Sequence, residues 1–201
     1  MRAIRHWALV SGAHGAAVWA ALEAPLVQLG NIHLPFRPFP TTVPERAAGE
    51  ATIVSWAMNN LWDTNFPPAQ GGETFFRYAV APAADRGDAV AIAGAVASPL
   101  AAVILAGRAA ADSRSRGSLL ALDRREVELV HLAPSRRGHD LVAFLHSHAD
   151  EPVDVAVAFD DLRVSRAHVG TFLERDLRQT DSPLRIEPGA LVSLSLDLEG
   201  P

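Results

Sequence analysis

Cysteine is absent from the chain, which rules out a disulfide framework, a thiolate nucleophile and a thiolate metal site. Aromatic residues make up only 6% of it, so the few places where they gather stand out. No strong excess of one charge is present: 18 basic against 23 acidic residues leave a formal net charge of −5. The basic residues are arginines spread along the sequence, so there is no electrostatic footprint for nucleic acid. The motifs G-x-S-x-G, H-E-x-x-H and the phosphate-binding glycine loop are also missing. Long apolar runs are rare. The N-terminal run is interrupted by Ser11, Gly12 and His14, so no signal peptide is expected, and the balance is compatible with a cytoplasmic protein. The uncharged stretch from Ala89 to Gly107 approaches membrane-spanning length, but it is mostly Ala and Gly and Ser98-Pro99 interrupts it. Two buried strands around a turn at Pro99 are expected there, not a membrane span.

What is present is enough apolar material for a core, 49% of 201 residues, in one large domain or two small ones. The pattern is one of short strands. Trp7 to Val10 and Ala16 to Leu22 flank a turn with Gly12 and Gly15, a hairpin signature. Leu26 to Gly30, Ala51 to Ala57 and Thr74 to Val80 read as further strands. Pro35, Pro38, Pro40 and Pro44 make residues 31–50 a surface loop, with Phe36 and Phe39 as its anchors. After the charged stretch Asp112 to Ser118 the alternation becomes regular. Val127, Leu129 and His131 share a face, and Leu141 to His146 is apolar on both sides. The series Val153, Val155, Val157, Phe159 and the series Val192, Leu194, Leu196, Leu198 each alternate with small or polar residues, as in strands with one wet face. The expected fold is all-β, antiparallel sandwiches without an amphipathic helix, divided at 1–112 and 113–201.

The densest stretch is Ser55 to Pro82. It holds Trp56, Trp62, three Phe, the only Tyr and the amides Asn59, Asn60 and Asn65. Aromatic faces next to side-chain amides suit stacking on, and hydrogen bonding to, a sugar; the same residues also build cores and turns. The order MNNLWDTNF, then Gln70-Gly71-Gly72, then FFRY resembles the C-terminal β region of family 38 glycoside hydrolases, the α-mannosidase type. There the run reads approximately N-N-x-W-x-T-N-[FY], Q-x-G, F-R-Y. Asn59, Asn60, Trp62, Thr64, Asn65, Gln70, Gly72, Phe76, Arg77 and Tyr78 sit on it. Glu151-Pro152-Val153, Leu173-Glu174-Arg175 and Pro188 to Val192 match the end of such chains more loosely. Ala143 and His146 depart from it, where Arg and Asn are expected.

The resemblance implies a larger, galactose-mutarotase-like sandwich portion followed by a small C-terminal sandwich. It implies that the catalytic Asp and the zinc ligands belong to an N-terminal α/β barrel, and that the β region packs on this barrel. On that footing no catalytic residue, metal ligand or cofactor is expected within 1–201, and the chain alone should not hydrolyse glycosides. Asn59, Asn60, Trp62, Asp63 and Asn65 become the substrate-proximal candidates, with a mannoside and a catalytic barrel as partners. No nucleic acid or membrane partner is expected, and a homo-oligomer is compatible with the reading. The alternatives are a free-standing carbohydrate-binding sandwich and a structural assembly domain.

Two further features bear on chemistry. His146-Ser147-His148-Ala149-Asp150 has the i, i+2 spacing that brings both imidazoles and Asp150 to one side of a strand, with His131, His139 or His168 as a further ligand. The run ends an apolar strand and enters a turn, which reads instead as solvated histidine. Arg77, flanked by aromatics, reads as a buried or interface ion-pair partner, and the neighbours Glu174-Arg175 as a structural pair.

Overall fold

The computed structural model describes residues 2–30, 51–58, 69, 71–98, 100–102, 117–160 and 162–199. The chain is mostly β, with antiparallel pairing throughout and one helix among the described residues. It divides into two compact units, Met1–Asp85 with Ile92–Pro99 and Arg86–Ala91 with Leu100–Pro201. The boundary expected at 112/113 lies outside the described residues, as do the proline-rich loop of 31–50 and most of 101–111.

The first unit holds two three-stranded sheets. One joins β1 (Arg2–Ala3), β4 (Leu26–Leu29) and β5 (Ile53–Ser55). The other joins β2 (Trp7–Gly12), β3 (Gly15–Ala21) and β6 (Tyr78–Ala83), with β3 central. The β2–β3 hairpin forms as expected. Gly12 pairs with Gly15 across a two-residue turn, and Gly15 adopts φ 129°, a conformation that side chains disfavour. Val18, Ala20, Ala21, Ala24 and Val27 are buried in this unit. The strand expected from Thr74 begins only at Tyr78. The backbone N–H of Arg77 is taken by the Glu23 carboxylate at 2.8 Å, so the ladder starts one residue later.

A second departure is the helix α1 (Arg86–Ala97), where a strand was expected from Ala89. Alanine and valine at consecutive positions satisfy a period of two and a period of 3.6 equally, so alternation carries no information here. Alanine's helix propensity and Asp88 in the first turn favour the helix, and Ser98-Pro99 ends it. No helix of the described residues is long and apolar enough to cross a membrane.

The second unit is a sandwich. Its larger sheet has the order β13 (Arg178–Gln179), β12 (Val164–Gly170), β15 (Leu191–Leu198), β9 (Leu141–Ser147), β8 (Val127–Pro134). Facing it are two strand pairs, β7 (Leu120–Leu122) with β11 (Val157–Phe159) and β10 (Val153–Val155) with β14 (Leu184–Ile186). The core between them contains Val127, Ala143, Leu145, Val155, Leu184, Ile186, Leu194 and Leu196. Residues 153–159, which alternate like one strand, form two. The chain changes partner at Ala156, whose N–H donates to Asp123 Oδ1 at 2.7 Å and whose carbonyl accepts from Asp123 N at 3.3 Å.

The expected wet face of β15 is covered. Ser193 and Ser195 are fully buried. The segment 171–177 folds back beside β12, and Phe172 stands edge-on to Phe144, the register partner of Ser193. Gly170 permits this return: a Cβ there would lie 2.6 Å from the carbonyl oxygen of Arg175 and 2.6 Å from Leu177.

Leu145→Ala should lower the stability of the second unit by about 2–5 kcal/mol, read from denaturant unfolding. Gly170→Ala should cost roughly 1–3 kcal/mol in the same measurement, because backbone must move to admit the methyl group.

Candidate functional sites

The sequence candidates Asn59, Asn60, Trp62, Asp63 and Asn65 lie outside the described residues, as do Thr64 and Gln70. The flanks of their segment are described. Ser55, at the end of β5, and Tyr78, at the start of β6, meet through their hydroxyls at 3.0 Å. Tyr78 also stacks at a tilt on Trp19, with ring centroids 5.5 Å apart. The segment between 55 and 78 therefore leaves and returns at one place. Arg77 Nε donates to Glu23 Oε1 at 2.7 Å, beside the backbone contact already described. The backbone N–H of Arg77, and next its guanidinium, hold the Glu23 carboxyl below the ordinary carboxylate range. Arg77 is thus the ion-pair residue expected, but at an exposed position and not a buried one.

In the second unit the structure gathers histidines that the sequence leaves scattered. One group is His139, His168 and Asp197, whose ligand-type atoms lie within 4.8 Å of one another. β15 extends past the start of β9, and Asp140 caps the overhang: its N–H donates to the Leu196 carbonyl at 3.0 Å and its Oδ2 accepts from Leu198 N at 2.7 Å. This places His139 Nδ1 2.6 Å from Asp197 Oδ1. A carboxylate can only accept, so Nδ1 carries the hydrogen. Arg166 Nε reaches Asp197 Oδ2 at 3.2 Å. The hydrogen bond from His139 is the main cause that holds the Asp197 carboxyl below the ordinary range; burial opposes it, and the charges of His139, Arg166 and His168 add to it. His168 Nδ1 is buried with no hydrogen-bond partner among the described residues.

The other group is Glu128, His146 and His148, again with ligand-type atoms within 4.8 Å. Glu128 stands opposite His146 in the β8–β9 register. His148 Nε2 donates to Glu128 Oε2 at 2.9 Å, and the rings of His146 and His148 are 4.2 Å apart. The solvated-turn expectation fails here, since the side chains of His148 and Glu128 are only 17% and 11% exposed. The i, i+2 spacing did bring the imidazoles together. Asp150 diverges from them to pair with Arg86 at 2.7 Å.

No family model, curated protein or solved structure matches the chain.

Two residues read as a structural pair are not one. Glu174 takes hydrogen bonds from the Ser135 hydroxyl and from Arg136 N, while Arg175 N turns to Thr171 Oγ1 at 3.3 Å. The departure at Ala143 is also explained: the residue is fully buried against Leu194, where a guanidinium would have no partner.

A carboxyl held below its usual range stabilises the fold above the unfolded pKa and ceases to do so as pH falls through the folded value. Asp197→Asn should therefore reduce stability at neutral pH. The gap to the native chain should narrow below about pH 4, the ordinary carboxylate range. Parallel denaturation curves from pH 7 to pH 2 check this.

Proposed function

We propose that this chain is the non-catalytic C-terminal β region of an α-mannosidase-like glycoside hydrolase, cytoplasmic, and dependent on a catalytic barrel for activity. The order of residues Asn59 to Tyr78 supports the family. The mostly β, antiparallel make-up of the described residues agrees with a sandwich region of such a chain. Absence of cysteine agrees with a reducing compartment.

The observation that carries the docking part is the apolar edge at β6. Among the described residues this strand pairs with β3 alone, and beside it Phe75 and Val80 are 79% and 72% exposed. Tyr78 is exposed as well. Large apolar side chains along an unpaired strand edge are a surface for a partner. The hydroxyl contact between Ser55 and Tyr78 supports a loop reading for the intervening segment. In this proposal that loop carries Trp62 to stack on a mannoside, with Asn59, Asn60, Asp63 and Asn65 around it, once the barrel completes the cleft.

The purified chain should show no α-mannosidase turnover and no saturable tryptophan quenching by mannose, and it should self-associate through the uncovered edge. Val80→Lys should weaken that self-association by roughly tenfold or more, since about 1.5 kcal/mol or more attends withdrawal of a Val side chain from water. Light scattering after size exclusion reads this. Turnover by the chain alone overturns the proposal. A monomer whose saturable mannose quenching is lost in Trp62→Ala would replace it with a free-standing binding module.

A further inference from the structure

The two histidine groups of the second unit have the same composition, two imidazoles and one carboxylate, but different surroundings. At Asp197 the carboxylate is already committed: His139 occupies Oδ1 and the Arg166 guanidinium Oδ2. A dication there would sit against a fixed positive charge and would have to break both contacts. That arrangement is an ion-pair network.

The Glu128 group differs in geometry and support. Three ligand-type side chains come from two adjacent strands and the residue just beyond one of them. The chain around them is held on several sides. Ser147 N donates to the Ala190 carbonyl at 3.0 Å and His148 N to the Glu126 carbonyl at 2.9 Å. The His148 carbonyl accepts from Arg86 Nη1 at 2.5 Å. Arg86 also pairs with Asp150, which keeps that carboxylate out of the group. Ligands on rigid elements with satisfied backbone are what a metal site requires.

The spacing fits as well. Ligand atoms around a tetrahedral ion with bonds of 2.0–2.1 Å lie about 3.3 Å apart. The His148 Nε2 to Glu128 Oε2 distance, 2.9 Å, is close to that, and the remaining ligand atom lies within 4.8 Å. Small side-chain rotations close the set, with a cation replacing the hydrogen that His148 shares with Glu128.

We propose that Glu128, His146 and His148 form a divalent-metal site, three protein ligands with a fourth position left to water. Two imidazoles and a carboxylate suit zinc or a comparable borderline cation better than magnesium or calcium, which prefer oxygen alone. The site does not depend on the glycosidase reading.

The test uses the full chain without an affinity tag. Cobalt(II) is titrated in while the visible absorption of a low-coordinate site is followed, and zinc is then competed against a chromophoric chelator. One equivalent should bind. Glu128→Gln, His146→Ala and His148→Ala should each lower the affinity by more than about tenfold, and His139→Ala should leave it unchanged. In the native chain, zinc should shift the imidazole nitrogen resonances of His146 and His148 but not those of His139 and His168. This second reading does not require that any variant fold. Absence of stoichiometric binding overturns the proposal. So does binding that survives the three substitutions, or zinc-dependent shifts confined to His139 and His168, which would place the ion at Asp197.

Discussion

The second unit depends on one pairing, that of β15 between β12 and β9. Leu194 and Leu196 enter the core from this strand, while Ser193, Ser195 and Asp197 face the other way. A slip of one residue exchanges the faces: serine would enter an apolar core and leucine would meet the returning 171–177 segment. The same slip would carry Asp197 away from His139 and unseat the Asp140 cap on Leu198. Packing, loop closure and the charged network are therefore fixed by one register. Because the partners of β15 begin at Leu141 and Val164, the central ladder is built from contacts distant in sequence.

Where a strand has one neighbour type on each face, its pattern is legible. Leu191 to Leu198 falls where alternation puts it, and Leu141 to Ser147 where its apolar run does; Val127 to Pro134 is a strand, but the irregularity between Leu129 and His131 sets His131 opposite Phe144 and off the face of Leu129. Alternation does not say what covers the second face. Ser193 and Ser195 read as solvated because serine is small and polar, yet both are buried, with Phe172 packed edge-on to Phe144 beside Ser193. It also does not say which sheet a strand joins. The run 153–159 keeps its period of two while passing from β14 to β7, since a change of partner need not alter which side chains point inward. The helix at 86–97 was illegible for the opposite reason: where nearly every side chain is small and apolar, neither period can be distinguished.

The sites divide in the same manner. Spacing within one strand told which two histidines would share a face, because that follows from backbone geometry alone. Glu128 could not be found that way. It joins His146 and His148 through the β8–β9 register, and β8 carries an irregularity between Leu129 and His131 that shifts its pairing. Asp150, the nearer carboxylate in sequence, was the wrong choice because Arg86 competes for it. The Asn-Trp segment is the converse case. It stands out in the sequence by the identity and order of its residues, but Asn59 to Asn65 lie outside the described residues. What the fold adds is the meeting of its two ends at Ser55 and Tyr78.

The two units differ in what a structural role alone would explain. The apolar edge at β6 exposes Phe75, Tyr78 and Val80, which packing within the described residues does not account for. The histidine groups are another matter. Half-buried imidazoles and carboxylates gain little stability over apolar side chains of similar volume, because loss of hydration offsets much of their mutual attraction. The Asp197 group has a structural reason: it ties the β8–β9 turn to the end of β15 on the side where β9 has stopped and only β12 continues beside it. At Glu128 the strands β8 and β9 are paired from Val127 to Leu129, and His148 is held by its own backbone. The three ligand atoms of the Glu128 group converge, and the proposed metal site rests on that convergence.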